Sequence, residues 1–147
     1  MNILRQNSDY ALRAMVNLAE RYDGQVVSVR QLSQEEDIAY PFTAKILQKL
    51  AAANLVTSTM GPHGGFALAR RPDQISLLDV VAAVQGNVAV NTCFMPGHTC
   101  PRRPNCPISR KIAGLQEQIE SYLQNTTLAD VINGEDAPRR KESHEQR

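Results

Sequence analysis

The stretch Ser28–Arg70, "SVRQLSQEEDIAYPFTAKILQKLAAANLVTSTMGPHGGFALAR", runs two short helical patterns into a glycine-punctuated hairpin. Ser28 and Gln31 make an S-x-x-Q capping box, which starts a short helix through about Glu36. In "DIAYPFTAKILQKLAAANLV", Pro41 suits the first position of a second helix, where a missing N–H costs nothing. Phe42, Ile46 and Leu50, with Leu47 and Ala53 beside them, are predicted to be its buried face. Thr43, Lys45, Gln48 and Lys49 are predicted to point outward, and Asn54 to be a left-handed cap. Two short helices, the second with a polar and basic outer face, form a helix-turn-helix pattern. "LVTSTM", "GPHGG" and "FALAR" then read as strand, turn and returning strand. A hairpin directly after the second helix is a wing. The glycines at its tip, His63-Gly64-Gly65, allow close approach to another surface, and Arg70 and Arg71 just beyond can neutralise phosphates.

Working outward, Asn7 to Tyr22 reads as a helix with Tyr10, Ala14, Leu18 and Tyr22 on its apolar stripe. Asn7 or Ser8 is its expected cap, with Asp9 in the first turn. "SLLDVVAAVQG" opens on Ser76 with Asp79 at the capping-box position and stops at Gly86; its apolar residues cover much of the circumference, so it should be well buried. "PISRKIAGLQEQIESYLQN" reads as a long helix whose Ile108, Ile112, Leu115, Ile119 and Tyr122–Leu123 make a narrow seam, as on a helix that pairs with a partner. "TTLADVI" is a short final helix, and from Gly134 the chain has almost no apolar residues and should be disordered. The expected organisation is a DNA-binding domain over 1–86, a cysteine loop over 87–107, a dimerisation helix and C-terminal helix over 108–133, and a tail over 134–147. The fold class is mainly α with a small β-hairpin wing, a winged helix-turn-helix plus a long dimerisation helix.

A formal net charge of +1 and 42% hydrophobic residues exclude a globally basic field, so any nucleic-acid site must be a local patch. No apolar run approaches a bilayer span and the amino end lacks a signal-peptide pattern, so the protein is expected in the cytoplasm, with no membrane partner. No nucleophile arrangement, phosphate loop or acidic metal pair suggests an enzyme. Glu35-Glu36, the one helix-borne carboxylate pair considered, is expected to point to different faces.

All three cysteines fall in "NTCFMPGHTCPRRPNCPIS", Asn91–Ser109, with the spacing C-x6-C-x5-C. An odd, clustered set in a reducing compartment argues against a structural disulfide framework. Thiolates are soft ligands suited to iron–sulfur clusters or zinc, and gaps longer than a C-x2-C knuckle suit a loop around a larger cluster. Pro96, Pro101, Pro104 and Pro107 keep the loop out of a helix, and Pro107 can open the long helix with Cys106 at its N-cap, where a thiolate is favoured. Oxidant-sensing thiols without a metal are the other chemistry these residues support.

"SDYALRAMVNLA", the Ser28–Arg70 stretch, "ISLLDVVAAVQG" and "NTTLADVI" resemble, in order and spacing, the IscR/NsrR (Rrf-two) family of bacterial winged-helix transcription regulators over roughly residues 1 to 133. The resemblance implies a homodimer held by the long helix, palindromic double-stranded operator DNA as partner, and an iron–sulfur cluster ([4Fe-4S] or [2Fe-2S]) on Cys93, Cys100 and Cys106. IscR-like members carry a His three residues after the last cysteine, where this chain has Ser109. NsrR-like members draw an Asp ligand from the first helix of the other subunit, and Asp9 matches that position, so the chain looks closer to NsrR-like members; His98 is a third candidate. The six-residue first gap, one longer than in both relatives, departs from the pattern. On this reading the chain is a repressor answering nitric oxide, with redox or iron status as alternative signals. Ser28, Tyr40, Pro41, Thr43, Lys45, Gln48, Lys49, His63, Gly64, Gly65 and Arg70 are the DNA-contact candidates, the helix in the major groove and the wing around His63 to Phe66 at the minor groove. A metal-free thiol regulator and a winged-helix protein–protein module are the rival functions.

Overall fold

In the computed structural model, which describes residues 2–98 and 100–134, six α-helices accompany one two-stranded antiparallel hairpin. In chain order these are α1 (Gln6–Ala19), α2 (Val29–Glu36), α3 (Tyr40–Ala52), β1 (Val56–Thr59), β2 (Gly65–Leu68), α4 (Leu77–Gln85), α5 (Pro107–Asn125) and α6 (Leu128–Ile132). The chain is mainly helical with a small hairpin, as the sequence predicts. The expected disorder of the tail lies outside the described residues from 135 on.

The amino-terminal helix begins and ends earlier than predicted. Arg5, not Asn7 or Ser8, is its N-cap residue, and its side chain makes no capping bond. Ser8 is fully buried, and its hydroxyl donates to the Gln85 side-chain carbonyl of α4 at 2.6 Å. A tertiary partner has displaced the local capping signal, which pure sequence pattern cannot register.

Capping is readable elsewhere. Ser28 accepts from the Gln31 N–H, so it starts α2 as expected; the Gln31 amide does not reach back but donates to Glu35 at 2.9 Å. Asp37 and Asn54, both at positive φ, close α2 and α3. Ser76 with Asp79, and Thr127 with Asp130, form complete capping boxes on α4 and α6.

The phase of α3 differs from the predicted one by a residue. Thr43, Ile46, Leu47 and Leu50 face the core, whereas Phe42 is 54% exposed. Neighbours on a helix are about 100° apart, so burying Thr43 turns Phe42 to the flank that also carries Lys49. A buried threonine is tolerated because its hydroxyl donates to the carbonyl of Ala39 at 3.2 Å. Glu35 and Glu36 also depart from expectation: both carboxylates accept from the Asn17 amide, at 3.0 and 2.8 Å, and so converge on α1.

In the wing, Val56 pairs with Leu68 and Thr59 with Gly65. Val27 adds a third short edge, exchanging backbone bonds with Phe66 at 2.9 and 2.8 Å. That edge accounts for Gly65, and the hairpin's own turn accounts for Gly64. A Cβ on Gly65 would lie 2.3 Å from the Val27 carbonyl oxygen, and one on Gly64 would lie 2.1 Å from that of Thr59.

The main core joins Ala11, Ala14, Met15 and Leu18 of α1 to Ile46, Leu47 and Leu50 of α3, Val80 and Val84 of α4, and Leu128 of α6. Within α4 the burial is uneven: Val80, Val81 and Val84 are buried, Leu77 and Leu78 half-buried. Leu128 is tied there by its N–H to the Ile75 carbonyl at 3.0 Å, beside the Leu77 N–H to Thr126 carbonyl bond at 2.8 Å. A smaller cluster of Val81, Val88 and Leu123 seats α5 on α4. No helix among the described residues is long and apolar enough to cross a membrane.

Candidate nucleic-acid interface and cysteine segment

The outer surface of α2, α3 and the wing gathers most of the predicted DNA-contact residues. Tyr40 and Pro41 are exposed at the first turn of α3, and Lys45 and Gln48 are exposed further along. Tyr40 supports the Arg30 guanidinium, which lies 5.9 Å from the ring centroid, so a cation stands at the start of α2. Arg30, Tyr40 and Ser28 line an open cleft of about 660 Å³ whose other wall is the wing from Ser58 to Phe66. His63 is exposed at the wing tip, next to Met60, which is 89% exposed. Arg70 is exposed at the far end of β2, while Arg71 is paired with Asp73 at 2.6 Å.

Two of the predicted contacts are placed differently. Thr43 is 2% exposed and core-facing, so it does not belong to the outer surface. Lys49 is exposed, but its ammonium reaches the Val84 carbonyl of α4 at 3.5 Å, which draws it towards the C-terminal end of that helix and away from Lys45. Sequence reasoning missed Phe42 and Arg30. The phase error hid the first; the second shows only once the wing and α2 are seen to face each other.

The cysteine segment leaves α4 at Gly86 and reaches α5 at Pro107, with short 3-10 turns at Thr92–Phe94 and Arg103–Asn105. Its prolines keep it irregular, and Cys106 is the N-cap residue of α5 as predicted. Cys93, Cys100 and Cys106 are half-buried, and none of them is in a disulfide. Among the described residues, no three Cys, His, Asp or Glu side chains gather closely enough to hold a metal ion. The expected ligand set is therefore not assembled within one protomer. Asp9 lies exposed on α1 beside Arg13, 4.0 Å away, and His98 is exposed on the loop. Ser109 is buried at the start of α5.

The long helix separates two sides. Gln116 and Leu123 turn inward, while Ile108, Leu115 and Tyr122, each seven residues apart, are exposed. The predicted seam is thus split: Leu123, with Ile119 packed beside it, joins the protomer's own core, Ile112 is half-buried, and Ile108, Leu115 and Tyr122 remain exposed.

Comparison with known proteins agrees with this architecture. The family model for Rrf2, described as an iron-dependent transcriptional regulator, matches residues 4–134. The helix-turn-helix transcriptional regulator IscR of Cereibacter sphaeroides is 32% identical over 133 residues, covering 88% of this chain and 86% of its own. The rrf2 protein of Nitratidesulfovibrio vulgaris is 32% identical over 130 residues, with 88% and 86% covered. Among solved structures, CymR, the global cysteine regulator of B. subtilis, superposes with a TM-score of 0.77 at 23% identity, covering 92% of this chain and 100% of its own. IscR of T. potens does so with a TM-score of 0.70 at 22% identity, covering 88% and 85%. The fold is that of these winged-helix regulators, and the chain belongs to the Rrf2 family of DNA-binding transcriptional regulators.

Proposed function

We propose that the protein is a homodimeric repressor that reads palindromic operator DNA with α3 and the wing, and takes its signal at Cys93, Cys100 and Cys106 through an iron–sulfur cluster. The observation that carries this reading is the placement of every thiol of the chain on one half-buried segment between α4, which packs in the core behind α3, and α5 with its uncovered apolar stripe. Lys45, Gln48 and Tyr40 face the major groove, with Phe42 at the flank of α3, and the polar wing and Arg30 flank the adjacent phosphates. Ile108, Leu115 and Tyr122 pair with their counterparts in a second copy.

The chemistry of the donor set fits a cluster: three soft thiols with no competing disulfide. Among the described residues the three thiols do not gather at an ion-sized site, so a cluster, which spreads its ligands more widely, is the group proposed for them. Asp9 of a second protomer is the fourth donor proposed, since Ser109 cannot replace an imidazole and is buried. A bound cluster supplies a redox-active centre; the chain's own part is to bring the thiols together and to tie that loop to α4 and α5. Nitric oxide is the proposed signal.

Anaerobically purified protein should show visible absorbance that Cys→Ala at 93, 100 or 106 removes, and nitric oxide should weaken its binding to an operator duplex in a band-shift assay. A wild-type spectrum in all three variants sinks the cluster. The second reading is a metal-free thiol regulator, supported by three half-buried thiols outside any disulfide and by the lack of an ion-sized ligand group among the described residues. It expects colourless protein whose DNA affinity responds to diamide. A protein–protein module instead expects no operator selection and little salt dependence.

A further inference from the structure

Gln85, the last residue of α4, has every hydrogen-bonding position of its side-chain amide in use. Oε1 accepts from the Arg5 N–H at 3.0 Å and the Ser8 hydroxyl at 2.6 Å; Nε2 donates to the carbonyls of Ile3 at 2.9 Å and Asn87 at 3.3 Å. A primary amide offers two donors and two acceptor lone pairs, so the side chain is saturated. Its acceptor takes up the Arg5 N–H, one of the donors left without an intrahelical partner at the start of α1, and so caps that helix from α4.

The fourth bond faces the other way. Asn87 is the first residue beyond the Gly86 stop and opens the run into Cys93. On the far side of this run the Gln116 side chain of α5 accepts from the Val90 N–H at 2.9 Å and donates to the Val88 carbonyl. Residues 87–90 are therefore held between two glutamine amides, one bonded to the start of α1 and one on the long helix. Met95 and Pro96 of the cysteine segment also wall a cavity of about 270 Å³ together with Ile3, Arg5 and Gln85.

We propose that Gln85 is the positioning residue that couples the cysteine segment to the DNA-reading half. A change of state at the thiols shifts residues 87–90, Gln85 passes the shift to residues 3–8, and α1 carries it to α3, against which it packs. The coupling rests on the reading that the cysteine segment senses. It needs both edges of the amide, and Gln85→Glu separates them. The carboxylate still accepts from Arg5 and Ser8 but has nothing to donate to Ile3 or Asn87, so α1 keeps its cap while the tie to the cysteine segment is lost.

The probe is a duplex enriched by the wild-type protein from a random-sequence pool, and affinity is measured before and after the thiols receive their signal: nitric oxide for protein that is coloured as purified anaerobically, diamide for protein that is colourless. Wild type should change by about tenfold, and Q85E by less than about twofold with untreated affinity retained. A wild-type-sized response in Q85E overturns the coupling and leaves Gln85 as a helix cap alone. Should Q85E not fold, amide exchange in the wild-type protein decides: protection at Arg5 falls after the same treatment if the coupling exists, and unchanged protection overturns it. Wild type that binds the duplex yet ignores both nitric oxide and diamide refutes the sensing reading itself, and the coupling falls with it.

Discussion

Thr43 and Phe42 show how one residue of helical phase changes a functional assignment. A polar residue after a proline reads as solvent-facing, yet Thr43 can bond the carbonyl of Ala39 within its own turn and so enters the core. Phe42 is then left on the surface, where an aromatic ring can stack or pack against bases. Phe42→Ala should leave the melting temperature nearly unchanged while weakening operator binding, whereas Ile46→Ala should cost about 2–5 kcal/mol of stability. Thermal melts beside band shifts test the pair; a large stability loss at Phe42 would contradict its exposure. Hydrogen bonds from Asn17, then Gln31, then Arg21 lower the Glu35 carboxyl from 4.5 to about 2. A carboxyl more acidic in the folded state stabilises fully above its unfolded value, and that contribution fades as pH falls through the folded one. Between about pH 5 and pH 2.5, wild-type melting temperature should drop more steeply than that of Glu35→Gln. Equal slopes would remove Glu35 from the tie between α1 and α2.

At the scale of elements, the sequence was most informative where signals are local. Asn54, Ser76 with Asp79, and Gly86 each mark a boundary by their own backbone chemistry, and the structure places them there; Pro41 falls one residue inside, at the second position of α3 after Tyr40. The wing was readable too, because "GPHGG" divides two β-rich runs. Bonds between distant residues were not readable: Ser8 to Gln85, Val27 to Phe66, Gln116 to Val88 and Val90. No window of sequence contains both partners, so the start of α1, the third edge of the wing and the anchoring of the cysteine segment stayed hidden. The exposed surface of α2, α3 and the wing was accordingly readable, except at Thr43, Lys49, Phe42 and Arg30, while the anchoring of the thiol-bearing segment was not. The stripe on α5 yields a prediction of its own. Leu115 is 45% exposed, so Leu115→Glu should spare the protomer's fold and abolish self-association. Sedimentation should then report a single chain, and affinity for a palindrome should fall by at least about tenfold through loss of the second reading head. An unchanged dimer would move the interface off this stripe.

For the whole molecule, burial does not follow the linear order of the chain. Residues 1–86 look self-contained in sequence, with helices, wing and a clean glycine stop. Their core nevertheless includes Leu128, delivered after the cysteine segment and the full length of α5, about 28 Å of helix. The strap formed by Thr126 and Leu128 against Leu77 and Ile75 fastens the far end of α5 to the start of α4. A fragment ending at Gly86 would therefore leave a Leu-sized socket open to water. It should melt well below the intact chain, or fail to fold, and restoring residues 127–134 as a separate peptide should recover part of the difference.

That strap also bears on how such a regulator is built and broken. It makes the protomer a loop closed on itself, in which the reading head, the thiol-bearing run and the long helix share one cooperative unit. A lesion far along α5 can then lower the amount of competent regulator in a cell without touching DNA, thiols or a partner, simply by loosening the clasp. Loss-of-function substitutions should accordingly collect at Ile75, Leu77, Thr126 and Leu128, places that no contact with ligand or operator would single out.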